Sequence, residues 1–311
     1  MPALNVCLLG GTGFVGRAIA ARLAQGGHRQ RVPTRRHANH RDLLVHPGLV
    51  LVEGDVHEPS FLRRQFEGMD VVINLVGILN SRDRAGRQFE RVHVELPGKV
   101  AQACEQAGVK RLLHMSALHA TRDAPSRYLR TKAAGEEAAH AASPELRVTS
   151  FRPSVIFGSR DGFTNRFAGL LRLAPGVFPL ACPDSRFQPV YVEDVAQAFV
   201  AAIPEHRTFG RRYDLCGPRI YTLREIVAYV AELQGKRVRI LGLGDRLSRL
   251  QAAVLELAPG KPFSRDNYRS LTVDSVCAEG ANALRGVFGV MPTPLERVAP
   301  GWLTRGRTAP R

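Results

Sequence analysis

Three glycines near the amino terminus have the spacing of a nucleotide phosphate site. Gly10, Gly13 and Gly16 lie between an apolar run, Asn5–Leu9, and an amphipathic helical pattern, Phe14–Gln25. Glycines at these places permit a tight turn, a close approach to a pyrophosphate, and close packing of helix on strand. The unpaired N–H groups of the first helical turn would then face the phosphates. The predicted phosphate-binding residues are Gly10, Thr12, Gly13, Phe14, Val15 and Gly16; the alternative is a glycine-rich turn without a ligand.

Two arginines indicate which nucleotide such a site would prefer. An NAD site usually carries Asp or Glu about 20 residues after the glycines, where the carboxylate binds the ribose 2′-hydroxyl. Here Arg35 and Arg36 occupy that place, and no acidic residue occurs from Arg17 to Arg41. Guanidinium groups can bind a 2′-phosphate through paired hydrogen bonds, so we predict NADP(H) in preference to NAD(H). Alternatively, one arginine stacks on adenine and the other is solvated. Asp55 and Val56 would bind the adenine amine and ring.

The elements that position these residues alternate between strands and helices, which is typical of βαβ units and a doubly wound parallel sheet. Strands are predicted at Asn5–Leu9, Gln30–Thr34, Leu49–Glu53, Asp70–Leu75, Arg111–Met115 and Arg147–Phe151. Helices are predicted at Phe14–Gln25, Ser60–Phe66, Phe89–Ala107 and Arg127–Ala142. Pro33 should end its strand or place it at a sheet edge.

The pattern after Pro153 is less regular and predicts a smaller, irregular α/β substrate lobe. Its predicted strands are Pro189–Val192, Arg212–Cys216 and Val238–Leu241, and its helices are Asp194–Ile203, Leu223–Gln234, Leu247–Leu257 and Pro294–Val298. We therefore expect an α/β protein with a Rossmann-type domain at 1–155, a lobe at 156–303 with segments that return to the first domain, and a flexible tail at 304–311.

Composition limits the classes of partner. The 311 residues carry 44 Lys+Arg against 28 Asp+Glu, a net charge of +16, of which +7 falls in 1–150 and +9 in 151–311. Because the excess forms no basic tail or block, nucleic-acid binding is not expected. A protein complex or a membrane surface remains open as the anionic partner.

The five cysteines are scattered, and no C-x-x-C pair occurs. This spacing favours reduced thiols in a cytoplasmic protein over disulfides or structural zinc, and no metal site is expected. No secretory signal precedes the first strand, and no apolar run reaches the roughly 18 residues of a membrane span.

Several motifs together resemble the short-chain dehydrogenase/reductase superfamily in its extended or atypical branch, with the NAD-dependent epimerase/dehydratase pattern. They are Gly10–Gly16, Asp55, Asn74–Gly77, Tyr128–Lys132, Phe151–Gly158 and Pro189–Ala196. Three more segments are similar to bacterial relatives of the NADPH-binding accessory subunit of mitochondrial complex I: Arg31–Arg36, Cys216–Thr222 and Pro292–Pro294. The resemblance also places Leu75, Val76, Gly77, Lys132, Pro153 and Val155 at the cofactor.

The resemblance implies catalytic roles for Tyr128 and Lys132. Tyr128 would exchange a proton with the substrate, and Lys132 would lower the phenol pKa and hold the nicotinamide ribose. The two side chains are one helical turn apart and share a face. The third position, normally Ser or Thr, falls on Leu118, which cannot donate a hydrogen bond. Ser116 or a local shift would have to substitute, or catalysis would be impaired.

The substrate is not identified by any motif. The resemblance places Leu118, His119, Phe157, Asn165 and Arg186 near a substrate cleft, although core or solvated roles are equally open. Two classes of function follow. The first is an NADP(H)-dependent oxidoreductase or epimerase. The second is a weakly catalytic or non-catalytic NADPH-binding accessory or assembly protein, peripheral to the inner membrane or linked to quinone metabolism. A homodimer through the fourth and fifth helices is a further expectation.

Overall fold

The central sheet of the protein contains seven parallel strands. A computed structural model describes residues 2–81, 83, 86–258 and 261–304. In chain order the strands are β1 Asn5–Leu9, β2 Arg29–Thr34, β3 Leu49–Glu53, β4 Val71–Asn74, β5 Arg111–Met115, β6 Arg147–Pro153, β7 Ile156–Phe157, β8 Val177–Ala181, β9 Arg186–Phe187, β10 Val190–Tyr191, β11 Arg211–Leu215, β12 Tyr221–Thr222 and β13 Arg239–Leu243. The sheet order is β11-β6-β5-β4-β1-β2-β3. The order reverses between β1 and β4, which is where ligands bind in open α/β sheets.

The α-helices are α1 Phe14–Gln25, α2 Pro59–Phe66, α3 Arg87–Phe89, α4 Leu96–Gln106, α5 Arg127–His140, α6 Thr164–Leu173, α7 Val192–Ala202, α8 Leu223–Leu233, α9 Asp245–Leu255, α10 Arg265–Leu271, α11 Ala283–Gly286, α12 Leu295–Val298 and α13 Pro300–Leu303. A π-helical turn, Glu90–Glu95, joins α3 to α4, and 3₁₀ turns cover His37–Val45 and His206–Thr208.

Both faces of the sheet are covered by helices. In β1, Val6 and Leu8 belong to the apolar cluster that α1 and α7 cover, while Cys7 and Leu9 belong to the cluster under α2 and α4. Successive side chains of a strand point to opposite faces, so an apolar run of this kind requires two covering layers. A third cluster packs α6 and α8 against the short strands of the second half.

The predicted α/β fold with a doubly wound parallel sheet is confirmed. Predicted strands of the first half agree with the structure to within two residues. The alternative that Pro33 marks an edge is wrong, because Pro33 pairs with Val52 in a strand that β1 and β3 flank. The α6 helix was not predicted. The division at residue 155 stays a prediction, and the predicted tail beyond Thr304 lies outside the described residues.

The expectation that all five cysteines are free is wrong for two of them. Cys216 and Cys277 form a disulfide, with Cα atoms 6.2 Å apart. Cys216 follows β11, and the Cys277 segment is held beside it because Gln188 Oε1 accepts a hydrogen bond from the Cys277 N–H (3.0 Å). Their sequence separation of 61 positions conceals this proximity in the sequence. Cys7, Cys104 and Cys182 are free.

Within the described ranges, no helix is long and apolar enough to cross a membrane. The same residues contain no group of three or more His, Cys, Asp or Glu side chains that could hold a metal ion.

Reduction of the disulfide should destabilise the fold. The bond closes a long loop, so its loss should lower the free energy of unfolding by about 2–4 kcal/mol. Urea denaturation of the native protein and of the Cys216→Ser/Cys277→Ser variant measures the change. Peptide mapping without reductant should recover the linked Cys216 and Cys277 peptides, while Cys182 reacts with an alkylating agent. Alkylation of Cys216 and Cys277 in the native, unreduced protein would contradict the disulfide.

Candidate functional site

The turn after β1 leads directly into the uncapped amino terminus of α1. Gly10 adopts a positive φ of 78°, and the Gly13 N–H donates to the Gly10 carbonyl (2.9 Å). Helix α1 begins at Phe14 with no side-chain cap, so the N–H groups of Phe14 and Val15 have no partner within the helix. A Cβ on Gly16 would lie 2.3 Å from the Gly10 oxygen. Only glycine at position 16 therefore allows α1 to begin this close to β1.

The end of β2 carries the two arginines that follow Thr34. Both side chains are exposed, and neither has a hydrogen-bond or ion-pair partner among the described residues. Two acids of this region are engaged elsewhere. Asp42 pairs with Arg17, which holds the pKa of that carboxyl below its usual range, and Glu53 accepts from the His37 N–H (2.8 Å). Arg35 and Arg36 thus present uncompensated positive charge at the carboxyl edge of the sheet.

Asp55 lies just after β3 at this edge. Its Oδ1 accepts from the His57 N–H (2.9 Å), and its Oδ2 is 3.5 Å from Arg91 Nη2. The carboxylate is half-exposed and a carboxylate can accept several hydrogen bonds, so Asp55 retains capacity for an adenine amine. Val56 packs partly buried beside the second apolar cluster.

The side chain of Lys132 lies buried between the ends of β4 and β5. Its Nζ donates to the Met115 carbonyl (2.5 Å), and burial lowers the lysine pKa to about 8. A Cβ added to Gly77 would be 3.9 Å from this Nζ. The ammonium group is therefore held at the sheet edge, and Gly77 leaves the approach to it open.

Tyr128 is half-buried one helical turn before Lys132. Its ring lies edge-on to His93 at 5.5 Å and to Phe89 at 6.3 Å between centroids. Burial raises the Tyr128 pKa to about 12. Desolvation dominates the Tyr128 pKa in this structure, and the ammonium group bonds to the Met115 carbonyl, so the expected lowering by Lys132 stays a prediction.

His93 is a residue that the sequence analysis missed. It lies in the π-helical turn, where its Nε2 accepts from the Ile78 N–H (3.0 Å) and its Nδ1 is 3.0 Å from Thr131 Oγ1. Burial, and then the charge of Lys132, lower the His93 pKa to about 2, so the ring is neutral and Nδ1 carries the proton. The neutral ring fixes the Ile78 backbone and packs on Tyr128.

Two residues near His93 in the fold could have indicated its position. Pro97 has no N–H to donate to the carbonyl of His93, four residues earlier, which favours a departure from α-helical bonding. Gly135 lies opposite, where a Cβ would be 1.6 Å from the His93 oxygen. A glycine three residues after Lys132 therefore lets α5 pack directly on the π-helical turn.

Leu118 and Ser116 follow β5, in the region where the usual hydroxyl is expected. Leu118 is 5% exposed, and its N–H donates to the Pro153 carbonyl (3.0 Å). Ser116 is buried beside Glu136, and its Oγ has no hydrogen-bond partner of good geometry among the described residues. Glu136 itself is ion-paired with Arg152 and Arg212. The catalytic role of Ser116 stays a prediction, and its hydroxyl lies within a buried polar cluster.

The side chains predicted to contact substrate have partners inside the fold. Arg186 Nε is 2.8 Å from Asp274 Oδ2, and His119 Nε2 is 2.8 Å from the Val276 carbonyl. Asn165 Nδ2 donates to carbonyls of its own loop, including Ser159 O (3.2 Å). Phe157 is fully buried. None of these four side chains therefore points to a particular substrate, and their predicted contacts remain predictions.

The remaining predicted cofactor residues lie at the carboxyl edge of the sheet. Leu75, Val76 and Gly77 follow β4, and the Val76 N–H donates to Asn74 Oδ1 (3.2 Å). Pro153 ends β6, and the Val155 carbonyl accepts from the Val190 N–H (3.0 Å). The sheet thus brings the ends of β1 to β6 together at one edge.

Comparison with known proteins identifies the family. Residues 6–216 match the family described as NAD dependent epimerase/dehydratase. The chain belongs to this family. Its members bind nicotinamide cofactors, which agrees with the geometry of the glycine turn.

Two curated proteins match most of this chain. Mitochondrial NADH dehydrogenase (ubiquinone) 1 alpha subcomplex subunit 9 of Mus musculus is 31% identical over 307 residues, which cover 97% of this chain and 80% of the mouse protein. Ceramide reductase of Caulobacter vibrioides is 33% identical over 255 residues, covering 77% and 74%. Among solved structures, NADPH-dependent quinone oxidoreductase QOR2 of Escherichia coli, complexed with NADPH, gives a TM-score of 0.75 at 19% identity, over 96% of this chain and 99% of that one. This last likeness shows the fold.

Replacing Gly16 should disrupt the phosphate turn. In Gly16→Ala the new Cβ would overlap the Gly10 backbone, so α1 must move. We therefore expect the free energy of unfolding to fall by about 1–3 kcal/mol and nucleotide binding to weaken. Gly169→Ala is the matched control, because Gly169 is exposed in α6 with no atom within 4 Å of an added Cβ. Urea denaturation should show this control unchanged or slightly more stable. Equal stability of both variants would contradict the proposed constraint.

Proposed function

We propose that this protein is an NADP(H)-dependent oxidoreductase. The observation that carries the proposal is the exposed, unpaired pair of guanidinium groups at Arg35 and Arg36, at the sheet edge that also holds the α1 amino terminus and Lys132. A 2′-phosphate would meet the arginines, a pyrophosphate the helix end, and a nicotinamide ribose the ammonium group.

Residues of this chain would then supply the proton chemistry. The bound cofactor supplies or accepts a hydride. Lys132 would hold the ribose hydroxyls, and Tyr128 would exchange a proton with the substrate oxygen. Because its pKa is about 12, the Tyr128 hydroxyl is protonated at neutral pH. A protonated phenol can donate a proton to the oxygen of a carbonyl that is being reduced.

Removal of the two guanidinium groups should abolish the preference for NADPH. In Arg35→Ala/Arg36→Ala, NADPH affinity should fall by about tenfold to a hundredfold, because charge-assisted hydrogen bonds to the phosphate are lost, while NADH affinity changes little. Fluorescence or calorimetric titration with both nucleotides measures the ratio. Arg285→Ala/Arg297→Ala removes the same charge from exposed positions elsewhere and should leave the ratio unchanged. An unaltered ratio in the first variant would refute the assignment of the 2′-phosphate site.

Loss of the phenol should stop turnover and spare binding. Tyr128→Phe should lower the rate of NADPH oxidation with a carbonyl substrate by roughly 10²–10⁴-fold, while its NADPH titration stays like that of the wild type. Tyr229→Phe is a matched control, since Tyr229 is also partly buried with a raised pKa. Full activity in Tyr128→Phe would show that the phenol has no catalytic role.

A second function is favoured by a specific observation, the buried Leu118 at the position of the usual hydroxyl. In this function the protein holds NADPH without turnover, as an accessory subunit or assembly factor that docks on a larger, membrane-associated complex. The similarity to a named complex I subunit over nearly the whole chain supports it. Purified protein that retains NADPH, and does not oxidise it with carbonyl, sugar-nucleotide or quinone substrates, would favour this function over the first. Sedimentation of the same sample would show whether it is a homodimer.

A further inference from the structure

Three of the four large apolar side chains of helix α9 lie on the face that points away from the protein; the fourth, Leu255, is partly buried. Leu247, Leu250 and Val254 of α9, together with Leu257 two residues after its end, are 55%, 59%, 58% and 72% exposed, and we call them the α9 ridge. Their spacing places them on one side of the helix. The opposite side buries only small residues, Ser248 and Ala252. An ordinary surface helix has the reverse arrangement, with its large apolar side chains facing the core.

Further exposed apolar residues lie on the strands beside α9. Gln251 of α9 donates from its Nε2 to the Pro179 carbonyl (3.1 Å), and Pro179 pairs with Leu241 in the β8–β13 ladder. Leu241 is 51% exposed and Val177, two residues before Pro179, is 50% exposed. Single apolar residues are normal on a surface, whereas several on one helix face and on the adjoining strands favour a binding site.

The charges around the α9 ridge are positive. Arg237, Arg239 and Arg246 are exposed and have no ion-pair partner in the part of the chain that the structure describes. Both acids between residues 236 and 257 are neutralised: Asp245 by Arg249 (2.9 Å) and Glu256 by Arg265 (2.7 Å). The unpaired charge beside the apolar ridge is therefore contributed by arginines, which suits an anionic partner.

We propose that the α9 ridge docks on the surface of an anionic lipid bilayer. The aliphatic side chains would enter the boundary between headgroups and acyl chains, and the arginines would contact lipid phosphates. A bilayer fits the ridge better than a protein does, because the centres of protein interfaces are enriched in aromatic side chains and the ridge has only aliphatic ones. The site shares no residue with the cofactor cleft, so it stands independently of the proposed function.

Vesicle sedimentation with the full chain tests this proposal. The wild-type protein should bind vesicles of phosphatidylcholine and phosphatidylglycerol in equal parts, bind pure phosphatidylcholine vesicles several-fold less, and dissociate as salt is raised. Leu250→Ser/Val254→Ser should lower the partition coefficient at least about tenfold, because burial of one aliphatic side chain alone contributes about a tenfold factor in affinity. Arg239→Gln/Arg246→Gln should lower it several-fold on anionic vesicles only.

Control variants separate docking from misfolding and from the proposed function. Val50→Ser/Met291→Ser changes two exposed apolar residues elsewhere and should bind vesicles like the wild type. All variants should keep the wild-type Tm and nucleotide titration, because every altered side chain is exposed. The proposal would be overturned if the wild type did not bind anionic vesicles. It would also be overturned if the control variant lost as much vesicle binding as Leu250→Ser/Val254→Ser. A third outcome would also overturn the proposal: the wild type is a dimer that does not bind vesicles, and Leu250→Ser/Val254→Ser converts it to a monomer. The α9 ridge would then contact a second copy of this chain instead of a bilayer.

Discussion

The close approach of α1 to β1 is the constraint on which the cofactor site depends. No side chain fits at Gly16, because the Gly10 carbonyl and the Gly11 backbone occupy the space of a Cβ. That contact aims the helix amino terminus, with its unpaired N–H groups, at the carboxyl edge of the sheet. The neighbouring strands then deliver the arginines after β2, Asp55 after β3 and Gly77 after β4 to the same edge.

Burial controls the ionisation of the groups in this cleft. It lowers the pKa of Lys132 and of His93 and raises that of Tyr128, so each group is biased towards its uncharged form. Each therefore relies on a hydrogen bond or a ligand to hold charge. Arg35 and Arg36 differ because they are exposed and keep their charge in water. Recognition of the nucleotide thus depends on exposed charge, and proton chemistry on buried groups.

The net charge of +16 now divides into parts with different physical roles. Some arginines stabilise buried structure: Arg111 donates from its two terminal nitrogens to acceptors such as Thr149 and Thr208, and Arg152 and Arg212 pair with Glu136. Others are exposed and unpaired at the end of β2 and beside the α9 ridge, and further exposed arginines such as Arg285 and Arg297 lie elsewhere on the surface. The two arginine groups with a proposed ligand therefore account for only part of the excess.

The sequence was most informative where the signal is local. Strands such as Asn5–Leu9 and Arg111–Met115 were predicted to the residue, because a parallel strand buried on both faces is a continuous apolar run with clear ends. The Cys216–Cys277 bond and the His93 contacts were missed, because they join segments far apart in the chain. The effect of burial on the Tyr128 pKa was missed as well, since desolvation depends on packing from Phe89 and His93, which no spacing rule shows.

Titration of the wild-type protein with adenosine 2′,5′-bisphosphate and with 5′-AMP tests the central claim most directly. The two fragments differ only in the 2′-phosphate that Arg35 and Arg36 are proposed to bind. We expect the bisphosphate to bind at least about tenfold more tightly, and its affinity to fall as salt is raised, because the arginines are exposed. Equal affinity for the two fragments would show that these arginines do not select the cofactor.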